Sequence, residues 1–586
     1  MSLPADDRVS PITASSVPLP AWVRTSLSLQ EGRDPLGLQT TTQDRLMPLL
    51  LPGVLELSRR ARYFSFHAFL LSEYRGRGKP DRKILSAFIK RAEWDYGLAV
   101  QRCPKCPSSP IGARRLGTLA QESGPFPRGE SVESPLGGYG LYYRSPLIAF
   151  GIVAGAGTLL GGEPTPIDLL YDTQRARQLA DTFGAAVADT AYCRERYLWT
   201  TNPLPVDVVD EYATAACLCQ LRTRPKERDA VHAALFAADP ADEYIPTSSP
   251  ATNTEVTLAG AGASAASMSD DDSETLAATA TEMEPSSWQV IQRRRSVGHY
   301  LTLLEVDPKV TASENAYREA LWAPPPPRSA EHAVVAGQWS ALIAKDVWQE
   351  ALCSIWSQFC RDGLNRTHTL ERGLGWQEVH ELAYSLLHGP PALAPHLRTP
   401  ELVAEIAAGT ATLPSGTTRV AVSGCSLEKL SGMTKELDTA ASGLFVLLEL
   451  ARRMAQRSGA GWERACRIES GWQPSVATVA TALGAHLDTQ PTVADTMWWV
   501  VARFVLPVHE RIAYSKLPEF TFRFRWEDGL LRFYDLGVGR FPLAAIRKES
   551  FSQLTRDLDF WDDSTGLSRS AVLTDRGRAF IQETLT

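Results

Sequence analysis

The sequence predicts a mainly α-helical protein: two helical domains joined by a disordered acidic linker, followed by a small α+β module at the C-terminus. Three observations predict this class. Apolar side chains recur every three or four residues over long stretches such as 49–74 and 339–359, which is the helical period. Residues 237–287 are rich in acids and small residues and contain no base, so they cannot bury enough apolar surface to offset chain entropy. Around 520–534 the apolar period changes to two, which indicates strands.

These changes in composition divide the chain into five parts. We expect a mobile tail at 1–20, an N-terminal helical domain at 21–236 and the disordered acidic linker at 237–287. We then expect a C-terminal helical domain at 288–499 and the α+β module at 500–586.

The stretch 49–74 is predicted to be a buried helix that begins just after Pro52-Gly53. Arg60 and His67 lie seven residues apart and flank its apolar stripe, whereas Arg62 is expected to point elsewhere. An unpaired charge is costly to bury, so we predict acidic or carbonyl partners for Arg60 and His67. A phosphate-reading role is the alternative. The stripe consists of Leu57, Ala61, Phe64, Ala68 and Leu71.

Further helices are predicted wherever apolar residues keep helical spacing, and one hairpin where they alternate. The hairpin turns at Asp528-Gly529, a dipeptide typical of tight β-turns. The predicted helices are 83–98, 172–192, 206–221, 226–236, 339–359, 427–456 and 493–517.

Bulk composition indicates a cytoplasmic protein that does not enter the membrane. The longest apolar run, 146–160, is shorter than the roughly 20 residues that a spanning helix needs. The N-terminus has no secretion signal, and nine cysteines are an ordinary number for a chain with reduced thiols. Arginine greatly outnumbers lysine, which suggests a GC-rich bacterial source. The net charge of -7 gives no argument for a polyanionic partner, although it leaves room for a local basic patch.

One pair of cysteines has the spacing of a zinc knuckle. Cys103 and Cys106 enclose Pro104 and Lys105 in an expected loop, but a closed zinc site needs four ligands. Cys217 and Cys219 are more than a hundred positions away on an expected helix, where their side chains would diverge. We therefore predict no cofactor, with zinc at Cys103 and Cys106 as the open alternative.

The sequence lacks the common catalytic motifs. It has no P-loop, no dinucleotide fingerprint and no Gly-x-Ser-x-Gly elbow. His380 and His509 each precede a glutamate, but neither has the second histidine of a zinc peptidase. Glu305, Asp307 and Lys309 have the spacing of a metal-dependent nuclease strand, although they lie in a helical context.

Basic residues cluster just after the first long helix. The segment 75–83 reads as an exposed basic loop, and arginine can contact phosphate with two hydrogen bonds. A solvated charged face is the alternative interpretation. The predicted nucleic-acid-binding residues are Arg75, Arg77, Lys79, Arg82, Lys83, Arg114 and Arg115.

The C-terminal segment resembles a winged-helix module. Its order is a helix ending near Lys516, strands, a helix after Ser550, a polar loop and Leu573-Thr574-x-x-Gly577 entering a last helix. The resemblance implies DNA binding through the helix after Ser550. That helix carries Asp557 and is followed by further acids, which repel phosphate and favour a protein partner.

Together these features predict a non-enzymatic, DNA-associated accessory subunit of a bacterial multi-gene system such as phage defence or DNA processing. Its expected partners are an ATPase, helicase or nuclease encoded nearby, together with DNA, and no membrane. The alternative is a protein-binding scaffold without nucleic-acid contact. A cryptic metal-dependent nuclease is the third hypothesis.

Overall fold

The computed structural model describes most of the chain. The predicted tail at 1–20 lies outside the described residues, as does the predicted linker apart from its two end residues. The described residues are 34–106, 109–237, 287–389, 393–408, 412–415, 418–421, 425–469, 471–535, 540, 542–563 and 571–586.

The chain folds mainly into α-helices, as the sequence predicts. Nine of the longer helices begin at a Ser, Thr or Asp whose side chain accepts a backbone N–H of the first turn, which satisfies donors that the helix itself cannot. In the N-terminal half, the helices of seven residues or more are α1 (Arg62–Arg77), α2 (Arg82–Arg102), α3 (Gln174–Val187), α4 (Val206–Ala216) and α5 (Pro225–Phe236). Shorter helical turns are Leu38–Thr40, Thr41–Leu46, Met47–Leu50, Ala113–Leu116, Leu119–Gln121, Tyr139–Tyr143, Arg144–Ala149, Ala191–Arg194, Tyr197–Trp199 and Leu218–Thr223.

The second half is also helical. Its helices of seven residues or more are α6 (Ser287–Val306), α7 (Glu314–Trp322), α8 (Ala330–Leu370), α9 (Trp376–Ser385), α10 (Thr399–Ala407), α11 (Leu427–Leu437), α12 (Ala440–Met454), α13 (Ala460–Cys466), α14 (Val476–Asp488), α15 (Val493–Val500), α16 (Leu506–Ser515), α17 (Lys548–Asp557) and α18 (Asp575–Leu585). Shorter turns are Pro308–Val310, Leu386–His388 and Val501–Val505.

Every strand of the described chain belongs to a two-stranded antiparallel pair. Asp528 and Gly529 both have positive φ at the predicted hairpin turn, which is the backbone that this dipeptide favours. The pairs are β1 (Val153–Ala154) with β4 (Leu169–Leu170), β2 (Leu159–Leu160) with β3 (Glu163–Pro164), β5 (Thr412–Ser415) with β6 (Thr418–Ala421), β7 (Phe524–Glu527) with β8 (Leu530–Phe533), and β9 (Trp561–Asp563) with β10 (Ala571–Leu573).

The long helix α8 is the centre of the second half. Its 41 residues span about 60 Å, and it extends the predicted helix 339–359 in both directions. Trp339, Trp348 and Trp356 are fully buried along it. Helices α12 and α13 pack along α8. Helix α8 therefore lies inside a bundle, which is where a helix that is apolar on most sides is stable.

The predicted helix at 49–74 begins later than the sequence suggests. Residues 51–61 form turns, and α1 starts only at Arg62. Leu57, placed on the apolar stripe by prediction, is 52% exposed. The prediction was wrong there because residues 51–61 are held by contacts distant in sequence, such as the bond from the Ser550 hydroxyl to the Leu55 carbonyl.

Side chains from both sides of 238–286 share one continuous hydrophobic core. The buried Arg293 of α6 donates to the carbonyls of Pro52 (2.8 Å) and Leu235, both in the N-terminal half. Ser296 donates to the Leu50 carbonyl. The division into two helical domains stays a prediction, and the described halves are in close contact.

The elements of the predicted C-terminal module follow the predicted order, but they pack against two different helices of the chain. The β7–β8 hairpin contacts α8, and Leu531 also pairs with Leu374. Helices α17 and α18 instead contact α6. Phe551 of α17 stacks on the buried Tyr300, so the helix that would read DNA in a winged-helix protein is packed within the chain.

None of the described helices combines the length and the apolarity that crossing a bilayer requires.

Candidate nucleic-acid interface and cysteine cluster

The predicted basic loop 75–83 is largely exposed, but it is helical at both ends: Arg75 and Arg77 belong to the last turn of α1, and Arg82 and Lys83 begin α2. Asp81 caps α2 by accepting the N–H groups of Lys83 (2.8 Å) and Ile84 (3.0 Å). The side chains of Lys79, Arg82 and Lys83 are exposed and have no acidic partner among the described residues. These three cations therefore carry uncompensated charge on the surface.

Two of the other predicted phosphate-binding residues are partly neutralised. Arg77 pairs with Glu73 at 3.4 Å, and Arg115 pairs with Glu133. Arg75 approaches the Leu170 carbonyl at 3.4 Å, a neutral acceptor that leaves its charge in place, and Arg114 is exposed.

The structure does not gather all seven basic residues into one patch. The short helix Ala113–Leu116, which carries Arg114 and Arg115, packs near Gly97 of α2. Gly97 lies fifteen residues beyond Arg82 along this helix, or about 22 Å at the α-helical rise. The described surface therefore presents two separate basic groups.

Arg60 lies just before α1 and binds Asp557, the last residue of α17. Its guanidinium makes two bonds to the Asp557 carboxylate, Nε to Oδ2 and Nη2 to Oδ1, both 2.9 Å. Burial lowers the pKa of Arg60, but the charge and hydrogen bonds of Asp557 outweigh it and raise the pKa above its ordinary value. Arg60 is thus engaged with a carboxylate of its own chain.

Arg62, expected to point away from the core, is the fully buried arginine of α1. It makes two bonds to the Glu227 carboxylate, at 2.8 and 2.9 Å, and its Nη1 donates to the Cys217 carbonyl at 2.5 Å. The expectation was wrong because the helix begins at Arg62 and turns its first side chains towards α5.

His67 is buried beside Glu93, with 3.7 Å between Nε2 and Oε1. Burial alone lowers the pKa of His67 to about 3, so the imidazole is neutral. Burial also raises the pKa of Glu93 to about 7, although this carboxylate accepts the N–H groups of Gly138 and Tyr139. The pair is a buried polar contact without access to solvent.

Cys103 and Cys106 form a tight loop at the end of α2. The Cys106 N–H donates to the Cys103 carbonyl at 3.3 Å, which closes a turn over Pro104 and Lys105. Both central residues are exposed, so the turn projects from the helix end.

Cys217 and Cys219 come to the same place from the other side. Helix α4 ends at Ala216, and Cys217 is extended, with φ -55° and ψ 145°. The predicted helix to 221 and the predicted divergence of these two side chains were therefore wrong. The Sγ atoms of Cys103, Cys217 and Cys219 all lie within 4.8 Å of one another, and Cys103 Sγ is 3.8 Å from Cys219 Sγ.

Cys106 lies beside these three thiols, at the other end of the turn that begins at Cys103. A hydrogen bond with the Cys106 thiol is the largest cause that raises the pKa of Cys217, followed by a hydrogen bond with Cys219. The Cys106 thiol likewise leads the causes that raise the pKa of Cys219 to about 12. No disulfide joins any of the four. We call Cys103, Cys106, Cys217 and Cys219 the cysteine cluster.

Comparison with known proteins adds no relative. No family model, no curated protein and no solved structure matches this chain.

The residues considered for a nuclease do not assemble a metal site. Glu305 pairs with Arg328, and the Asp307 carboxylate accepts the Lys309 N–H at 2.9 Å as a helix cap. Among the described residues, one group of three or more metal-ligating side chains occurs, and it consists of Cys103, Cys217 and Cys219. Glu305 and Asp307 thus have local structural partners.

A cavity of about 660 Å³ opens between α7, α11 and α12. Two of its arginines, Arg452 and Arg453, already pair with the buried Glu449. The third, Arg457, lies over the Trp322 ring at 3.5 Å, and burial lowers its pKa to about 10. The three arginines that line the cavity thus already contact other side chains of the protein.

Sequence reasoning missed Cys217, Cys219 and Arg62 as parts of one site. The missing signal was the end of α4, since no Gly or Pro marks it. Arg62 holds the Cys217 carbonyl from another helix, and such a contact has no local sequence pattern.

Proposed function

We propose that this protein is a DNA-associated accessory subunit without its own catalytic centre, and that the loop 75–83 contacts the DNA backbone. The observation that carries the proposal is the exposed trio Lys79, Arg82 and Lys83, which has no acidic partner among the described residues. Lysine and arginine that neutralise phosphates supply most of the sequence-independent affinity for DNA.

The packing of α17 supports the loop as the contact, in preference to the winged-helix-like segment. Asp557, Asp559 and Asp562 at the end of α17 pair with Arg60, Arg222 and Arg228 of the N-terminal half. A helix held in this way cannot enter a DNA groove without breaking those ion pairs. Backbone contact from the loop needs no such rearrangement.

The biological setting is the finer part of the proposal. We propose a cytoplasmic bacterial protein that works beside an ATPase, helicase or nuclease encoded nearby, in phage defence or DNA processing. A chain that supplies DNA contact and a large helical surface would suit an accessory subunit of such a system. Co-purification of a neighbouring gene product with the tagged chain would identify the machine.

Salt-dependent binding to duplex DNA tests the loop directly. The triple variant Lys79→Ala/Arg82→Ala/Lys83→Ala should bind a labelled duplex more weakly than the parent, with a slope of log K against log salt that is smaller by about 2 to 3. The parent slope itself should be negative. No binding by the parent at low salt would refute the proposal.

A charge-matched variant separates local contact from net charge. Lys429, Arg464 and Arg467 are exposed cations on or beside α11 and α13, far along the chain from the loop. Replacing these three with alanine changes the net charge equally and should leave the salt slope unchanged. An equal loss of DNA affinity in both triple variants would mean that binding depends only on the net charge of the protein.

A protein-binding scaffold is the second candidate, favoured by an exposed aromatic group. Trp376 at the start of α9 is 60% exposed, and its ring lies 5.3 Å from that of Trp498 and 5.8 Å from that of Trp526. Exposed clusters of tryptophan are typical of protein-binding hot spots. Trp376→Ala should release a co-purifying partner, whereas Trp288→Ala, an equally large side chain that is 49% exposed, should not.

A further inference from the structure

The cysteine cluster joins two segments that are more than a hundred residues apart. Cys103 and Cys106 end α2, and Cys217 and Cys219 occupy the joint between α4 and α5. We propose that these four cysteines bind one zinc ion as thiolates, in a closed structural site. The site lies outside the proposed DNA contact and does not depend on it.

The spacing of the sulfur atoms fits a tetrahedral metal. A Zn–S bond of about 2.3 Å places two tetrahedral sulfur ligands about 3.8 Å apart. Cys103 Sγ and Cys219 Sγ are separated by 3.8 Å, and Cys217 Sγ lies within 4.8 Å of both. A disulfide would hold two of these atoms about 2.05 Å apart, so the separation of 3.8 Å is that of free thiols and matches tetrahedral ligands.

The backbone at both ends has the form that a zinc knuckle needs. The turn at Cys103–Cys106 is closed by the bond from the Cys106 N–H to the Cys103 carbonyl. On the other side, the Cys217 carbonyl accepts from Arg62 Nη1 and from the Gln220 N–H at 2.9 Å. Both pairs of thiols are therefore positioned by contacts that do not involve the metal.

A divalent cation favours the thiolate form of cysteine, because the charge of each deprotonated sulfur pairs with that of the ion. Four thiolates and one Zn²⁺ leave a net charge of about -2.

Four protein ligands leave no open position for water or substrate, so the ion would serve structure and not catalysis. It would fix the end of α2 to the joint between α4 and α5. Because α4 also packs on α2, the site would close the N-terminal helices into one unit. Zinc would bind with release of protons, and its affinity would fall at acidic pH.

Metal analysis of the intact, reduced protein is the first test. We expect about one zinc per chain in protein purified without chelators. After removal of zinc and addition of Co²⁺, the protein should show the intense visible bands of tetrahedral cobalt and a sulfur-to-cobalt charge-transfer band. A chain that takes up no zinc when supplied with an equimolar amount, or that gives only the weak spectrum of octahedral cobalt, would overturn the proposal.

Variants at Cys106, which is only partly buried, assign the ligands. Cys106→Ser should lose the charge-transfer band and the bound zinc, whereas Cys106→His, which keeps a metal-binding atom, should retain zinc with a shifted cobalt spectrum. Cys193→Ser is the matched control, because Cys193 is a partly buried cysteine outside the cluster. Retention of the full cobalt spectrum in Cys106→Ser would overturn the assignment of Cys106. If Cys106→Ser does not fold, the cobalt spectra of the parent and of Cys193→Ser still decide whether the site exists.

Discussion

Arg60 and Asp557 are 497 residues apart in the chain and form a largely buried ion pair with two hydrogen bonds. The same carboxylate also accepts the Ala61 N–H at 3.0 Å, immediately before α1 begins. One aspartate near the C-terminus therefore holds the start of the first long helix. The N-terminal and C-terminal ends of the described chain are linked by this contact.

Removing Asp557 should destabilise the protein strongly. Asp557→Ala leaves the Arg60 guanidinium buried without its carboxylate, and breaking a buried pair in this way costs about 3 to 5 kcal/mol. Thermal unfolding followed by calorimetry would measure the loss. Glu73→Ala removes the partner of exposed Arg77 and should cost at most about 1 kcal/mol. Equal losses in the two variants would contradict the buried character of the first pair.

Much of the fold could be predicted from local pattern. The limits of α5, the core of α8 and the turn at Asp528-Gly529 follow from apolar spacing and turn chemistry that neighbouring residues determine. An acidic partner for Arg60 also follows, because a charge on an apolar segment needs compensation.

The remaining features depend on contacts between distant segments. The carboxylate partner of Arg60 lies near the other end of the chain, and apolar periodicity carries no information about it. The start of α1 at Arg62, and not after Gly53, reflects contacts of residues 51–61 with α17. The convergence of Cys217 and Cys219 depends on where α4 ends, and no residue type marks that end.

Acid should destabilise the protein through His509. Its Nδ1 contacts the Pro35 carbonyl at 3.3 Å and its Nε2 accepts the Arg523 N–H at 2.9 Å, so the neutral ring is fully used. Burial lowers the pKa of His509 to about 3. The unfolded histidine titrates near 6.5, so between these values the unfolded state binds the extra proton and stability falls as pH falls.

For His509 alone, the free energy of unfolding should fall by about 2 kcal/mol between pH 7 and pH 5. Other buried histidines such as His67 act in the same direction, so the comparison must be with a variant. His509→Gln keeps a hydrogen-bond donor and acceptor but does not titrate. Its thermal midpoint should fall less steeply with acid than that of the parent, and parallel curves would rule out a neutral, buried His509.

Replacing a tryptophan with alanine should cost far more stability at a buried position than at an exposed one. Trp348→Ala empties a fully buried position on α8 and should cost about 3 to 5 kcal/mol. Trp288→Ala removes the same side chain at a position that is 49% exposed and should change stability by about 0.5 kcal/mol or less. Urea midpoints of the two variants would measure the difference, and similar midpoints would mean that α8 is not the core helix.

Glycine-to-alanine changes in two helices should have opposite effects. A Cβ at Gly461 of α13 would lie 2.0 Å from the Val334 carbonyl oxygen and 2.7 Å from Val334 Cα, so the backbones of α13 and α8 would have to separate. Forcing such an overlap costs about 1 to 3 kcal/mol or more. At Gly484 of α14, a Cβ meets nothing within 4 Å. There, alanine restricts the unfolded chain and favours the helix, so it should stabilise by about 0.5 to 1 kcal/mol.

The two glycine variants differ from the parent by the same methyl group, which makes the pair a sensitive test of how closely α13 approaches α8. Thermal unfolding should move the midpoint down for Gly461→Ala and up for Gly484→Ala. Gly461→Ser should be at least as damaging as alanine, because its Cβ meets the same carbonyl oxygen. A rise in stability for Gly461→Ala would show that the backbones of these helices are farther apart than the contact to Val334 requires.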